Sequence, residues 1–302
     1  MEPSQDIAFS TPVTAPAWQR WMVFSPTARI VFFIVAMLIF GLLVQMPLAR
    51  FGLGDKSASP LRQAITGCLA QVLISLLAYS ALTRTIERRP HPRELAWKEL
   101  PLKLAGGLAI GIILFSLVTC IMWMLGIYHV SSINDDVDWL PPLLTAGIGA
   151  GVYEEIISRG VLFRIVEEGM GTFWALAVSA AFFGAAHIFN PGATVWSSVA
   201  IAIEAGLMLG MLYHVTRSLW PCMGLHAAWN VMQGTVFGIP VSGTSADGWL
   251  VSYRTGPDWL SGGVFGTEAS VVSILTCSAF TATLLIVAWR RRSFVAPRWR
   301  RH

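Results

Sequence analysis

Long apolar runs separated by short charged stretches dominate the chain. Their spacing predicts eight helical spans at about 30–49, 64–83, 104–128, 140–166, 171–190, 194–215, 219–238 and 268–289. About 20 apolar residues in a helix cross a hydrocarbon core of roughly 30 Å. A helix also satisfies every backbone N–H and C=O within its own segment, as lipid requires. The expected fold is all-α: a polytopic transmembrane bundle of about eight spans whose core is spans four to seven. The pattern divides the chain into an N-terminal segment (1–29), the first spans with a basic loop (30–139), a core (140–240), an extramembrane loop (241–267) and a last span with an arginine-rich tail (268–302).

Composition sharpens this picture. Of 302 residues, 55% are hydrophobic and 13% charged, whereas a soluble domain carries about 25% charged residues. That excludes a soluble globular enzyme and a disordered chain. The four cysteines (Cys68, Cys120, Cys222, Cys277) all fall in predicted spans and form no CxxC pair, so neither a disulfide framework nor a cysteine zinc site is indicated.

Charge placement gives an orientation. Between spans two and three, Arg84 to Lys103 hold six basic and three acidic residues, whereas the next loop has Asp135, Asp136 and Asp138 with no Lys or Arg. Six arginines lie in the last 13 residues. Basic loops stay on the cytoplasmic side, so both termini are expected in the cytoplasm of a cell membrane, in a bacterium the inner one. The loop 50–63 dissents, with Arg50, Lys56 and Arg62 on the outer side. The basic tail suits contact with anionic lipid head groups; no aromatic-rich basic domain suggests nucleic acid. Residues 93–103 are expected to form a short interfacial helix, and 239–267 a surface loop or a lid.

Charges at membrane depth cost at least about 2.5 kcal/mol each, so each is a functional candidate. The fourth span contains Glu154, Glu155 and Arg159 in GVYEEIISRGVLFR. Glu155 and Arg159 are four apart and share a face. Glu154 lies about 100° round the helix, with no base of its own within four positions. The fifth span ends AFFGAAHIFN, with Phe183 and His187 on one face; the seventh reads PCMGLHAAWN, with His226 and Asn230 on one face. A base, a water-holding group and donors for an oxyanion are the parts of a hydrolytic site. Glu204 is also intramembrane, either a cavity residue or a partner of Arg159 or Arg217. His129 and His214 sit near span ends, where an interfacial role is expected.

The ordered set Glu154-Glu155-Ile-Ile-Ser-Arg159, Phe183-Gly-Ala-Ala-His187 and His226-Ala-Ala-Trp-Asn230 resembles the CPBP family of intramembrane endopeptidases, which includes type II CAAX prenyl proteases and bacteriocin-processing or self-immunity proteins of bacteria. The resemblance covers roughly 140–240, and the later GPDWLSGGVFG is similar to bacterial members. It implies Glu154 as general base activating water, His187 holding that water, His226 and Asn230 stabilising the oxyanion, and Glu155 with Arg159 bracing the helix and orienting Glu154. Its substrate would be a membrane-associated or lipidated peptide. No cofactor is required on the favoured glutamate reading; on the alternative, metalloprotease reading a zinc ion would sit on Glu154, His187 and His226. Two other functions stay open: a non-catalytic binding, immunity or regulatory protein on the same fold, and a transporter. Geometry poses one difficulty. Glu154, His187 and His226 lie at depths that differ by up to roughly 14 Å at 1.5 Å per residue, so tilt or a seventh helix starting deeper in the membrane must bring them together.

Overall fold

The computed structural model describes residues 7–52, 55 and 57–301; Lys56 and the extreme ends of the two terminal segments lie outside the described residues. The chain is a bundle of helices with one small pair of strands. The long helical segments are numbered α1 (Pro26–Arg50), α2 (Pro60–Ile86), α3 (Trp97–Met124), α4 (140–170), α5 (Thr172–Phe189), α6 (Val195–Thr216), α7 (220–236) and α8 (Val271–Arg290). Six of them are long and apolar enough to cross a membrane, against the eight expected. The two that fall short are α4, diluted by its own glutamates and arginines, and α7, which has only 12 residues of α-helix followed by a five-residue π turn. These are the helices that carry most of the candidate chemistry.

The expected helix over 93–103 differs as well. Arg93–Leu95 and Trp97–Glu99 form separate 3-10 turns, and regular α-helix starts only at Leu100. Pro101 suits the first turn of a helix, where its missing N–H is no loss.

Small residues set the spacing around the core. α3 and α7 touch along Gly107 and Gly111, a small-xxx-small stripe that lets backbones approach. A Cβ on Gly107 would lie 2.2 Å from the Pro221 carbonyl oxygen. On α5, a Cβ on Gly184 would lie 2.2 Å from the Ser198 carbonyl oxygen of α6. These seams place α7 and α5, and with them His226 and His187, against α4 and α6.

α4 is not a regular helix. Two π-helical stretches, Leu143–Gly149 and Ile156–Phe163, flank the α-helical stretch Ala150–Glu155. Such wide turns recur at functional sites, and here they bracket Glu154 and Glu155. The loop 241–267 is tied down. Its strand β2 (Leu250–Arg254) pairs antiparallel with β1 (Tyr128–Ile133), with a bulge between Val130 and Ser132.

At the opposite end, buried ion pairs join the first, second and fourth helices. Arg29 reaches Glu87 at 2.8 Å and also Glu168, and Arg164 reaches Glu87 at 3.0 Å and Glu168 at 3.2 Å. The tail folds back onto this end: the Thr172 N–H donates to the Val295 carbonyl, and the Val295 N–H to the Thr172 hydroxyl.

Candidate active site

The α4 backbone directs Glu154 and Glu155 into different surroundings. Glu155 is fully buried, and its Oε1 accepts from Arg159 Nη1 at 2.9 Å. The same oxygen lies 2.9 Å from His226 Nδ1, so Nδ1 carries the proton there. Arg159 also donates to the Ala205 and Gly206 carbonyls of α6 at 3.0 and 3.2 Å. The pairing of Glu155 with Arg159 appears as their spacing implies. The contact with His226, 71 positions away, was invisible to it.

Phe183 organises the space above. Its ring lies under the Arg159 guanidinium at 4.5 Å, a cation–π contact, and packs at 4.8 Å from the His187 ring and 6.0 Å, edge-on, from the His226 ring. His187 closes α5: its Nδ1 is 2.7 Å from the Phe183 carbonyl, leaving Nε2 for the cavity. Asn230 donates from Nδ2 to the Ala146 carbonyl at 2.9 Å, which keeps its second N–H in hand.

Glu154, His187, His226 and Asn230 line one cavity of about 200 Å³. The depth difficulty does not arise: side chains from α4, α5 and α7 line the same cavity. The Glu154 side chain is 31% exposed to this space; His226 Nε2 is 3.9 Å from its Oε2, and no Lys or Arg among the described residues is bonded to it. Supporting Glu155 and Arg159 lie behind the wall.

The cavity also holds groups that the motifs do not include. Glu268, which follows the loop, accepts from the Ser242 N–H at 2.6 Å and from its hydroxyl at 3.1 Å. Ser242 in turn accepts from Asn190 Nδ2 at 3.1 Å, three residues after His187. Ser242 has φ +46°, and a Cβ on its neighbour Gly243 would meet the Pro191 carbonyl oxygen at 1.8 Å. The turn is thus wedged between the end of α5 and Glu268. Glu204 lines the cavity as well, but it pairs with neither Arg159 nor Arg217. Its Oε2 accepts from the Cys277 thiol at 3.3 Å, because Arg159 is taken by Glu155 and Arg217 by Glu167. His214, expected at an interface, is buried between Glu167 and Ser293, whereas His129 is half-buried on β1 and stacks on Tyr253.

Residues 136–232 match the model of a family described as type II CAAX prenyl endopeptidase Rce1-like. That segment is similar to the Rce1-like family. No curated protein matches the chain. The Rce1-like segment contains every motif residue named above and all of α4 to the middle of α7; Ser242 and Glu268 lie beyond it. With its apolar helices, the chain is a multi-pass membrane protein whose middle part matches the Rce1-like model.

The donor set Glu154, His187 and His226 has zinc-ligand chemistry, but its spacing does not close. Tetrahedral ligands near 2.0–2.1 Å from zinc are roughly 3.3 Å apart, against 3.9 Å for Glu154 Oε2 and His226 Nε2. Among the described residues no three His, Cys, Asp or Glu side chains converge as a metal site. The chemistry below is therefore derived from the protein's own groups.

Proposed function

We propose that the protein is an intramembrane endopeptidase that hydrolyses a peptide bond of a membrane-associated or lipidated peptide with water activated by Glu154. The observation that carries this reading is Glu154 itself, a carboxylate without an arginine, on the wall of a cavity shared with two histidines and an amide. The Rce1-like segment supports the class of reaction.

In this mechanism Glu154 takes one proton of a cavity water, while His187, its Nδ1–H held by the Phe183 carbonyl, accepts a hydrogen bond through Nε2 from the O–H that the water keeps. The oxygen attacks the peptide carbonyl carbon. His226 and Asn230 then donate to the oxyanion, and positioned donors of this kind are among the largest catalytic contributions. A His226 that donates from both nitrogens is an imidazolium, whose charge the buried Glu155 neutralises. Arg159 holds Glu155 in place. On collapse the amine leaves with the proton that Glu154 took. The scissile bond must enter beside Glu154, and a second cavity along Tyr153, Phe182 and His187 opens that flank between α4 and α5.

The test is peptide cleavage by lipid-reconstituted protein on a mixed pool of lipidated and membrane-spanning peptides, with products read by mass. Wild type should yield a product that Glu154→Gln does not. Equal product from both would discard Glu154 as the base, and no product from either would favour the binding or immunity function.

A further inference from the structure

The two ends of the bundle differ in charge and in what they open into. Of the 21 Lys and Arg residues, only Arg50, Arg62 and Arg254 among the described residues lie at the end that holds β1, β2 and the loop before α8. That end carries Asp135, Asp136, Asp138, Asp247 and Asp258. Arg159 is in the site, and the remaining described basic residues gather at the other end, where Arg29, Glu87, Arg164 and Glu168 interlock and the arginine-rich tail docks.

The candidate active site belongs to the acidic end. Its wall is completed by Ser242, Thr244 and Glu268 from the loops there, and His187 sits on the last turn of α5 at the same end. A third cavity of about 540 Å³ shares Ala146, Asn230, Val241 and Thr244 with the active-site cavity and reaches Asp138, Asp247 and Pro60 at the surface. The large polar cavity at the arginine-rich end shares no lining residue with the active-site cavity.

Lys- and Arg-rich ends stay on the cytoplasmic side during insertion. We infer that the active site opens to the face opposite the arginine-rich end, so that its substrate is a membrane-anchored polypeptide whose cleaved segment lies on the translocated side of the membrane, not a cytoplasmic tail. The inference builds on the endopeptidase reading for the word substrate only; the direction of the opening is independent of turnover. Water and a peptide chain reach Glu154 through the Asn230–Thr244 passage, and an anchored segment approaches from lipid between α4 and α5, beside the exposed Phe182 and Phe189.

The experiment is thiol labelling in intact cells of a bacterial expression host, on a background with the four native cysteines replaced. Three single-cysteine variants are compared: Thr244→Cys in the passage, Asp247→Cys at its mouth and Arg298→Cys in the tail. The probe is the membrane-impermeant cation 2-(trimethylammonium)ethyl methanethiosulfonate, with total thiol measured after SDS. Thr244→Cys and Asp247→Cys should react fully before lysis, and Arg298→Cys at least tenfold more slowly until the cells are permeabilised. The reverse order would overturn the inference, as would a Thr244→Cys that stays unreactive while Asp247→Cys is labelled. The same labelling in Glu154→Gln should be unchanged, so a failed peptidase assay and a failed orientation are told apart.

Discussion

α4 carries two buried charge clusters little more than one turn apart, and they are built to opposite ends. Around Glu87 and Glu168, each carboxylate holds more than one arginine, and the group is closed on itself. Around Glu154 and Glu155 the charges are unequal: Glu155 serves Arg159 and His226 through one oxygen, and Glu154 has no arginine. The residue types are nearly the same. Where every charge is answered, the cluster clamps helices together; where one is left over and faces a cavity, the proposed role of proton acceptor is open to it. An intramembrane carboxylate is therefore informative through its partners more than through its position.

The sharpest way to break the contrast is to exchange the roles. Glu154→Gln should lower turnover by about 10³- to 10⁴-fold, the upper part of what a positioned base contributes, with the thermal midpoint in detergent unmoved. Glu87→Gln should do the reverse. It leaves Arg29 and Arg164 short of a counter-charge, at about 3–5 kcal/mol for a broken buried pair. The midpoint should fall steeply, while the protein that remains folded cleaves at the wild-type rate.

Asn230→Ala should reduce kcat by about 10²- to 10³-fold with little change in KM, as for loss of one oxyanion donor, and single-turnover assays separate the two. The smallest effect is expected from pH. Burial would raise the Glu94 carboxyl, but the Arg164 and Arg89 charges, with hydrogen bonds from Arg89 and Tyr79, hold it below its ordinary value of 4.5. A lowered folded value means that the native state binds fewer protons near pH 4.5, so this contribution is complete above that pH and lost as the pH falls through the folded value. The difference in midpoint between wild type and Glu94→Gln should be constant near neutrality and vanish in acid.

Much of this arrangement could be read before the coordinates, because helical periodicity is a local property. The run lengths located all eight helical segments, and the four-residue spacing paired Glu155 with Arg159 and left Glu154 apart. What could not be read depends on contacts between distant segments. The link from Glu155 to His226, the wedge of Ser242 between Asn190 and Glu268, and the partner of Glu204 all join different helices or loops. Straight-helix depths also misjudged how near the histidines lie, and no spacing rule announces the π turns of α4.

The pairing of β1 with β2 has a consequence for biosynthesis. β1 leaves the ribosome more than a hundred residues before the strand it needs. At about 5–20 residues per second, it waits on the order of ten seconds. Throughout that wait the nascent chain holds the motif residues of α4, then of α5 and α7, without Glu268 or the completed cavity wall. The loop that completes the chamber is made after every motif residue, so a chain released before it carries the whole motif set without Ser242, Thr244 or Glu268 in the wall.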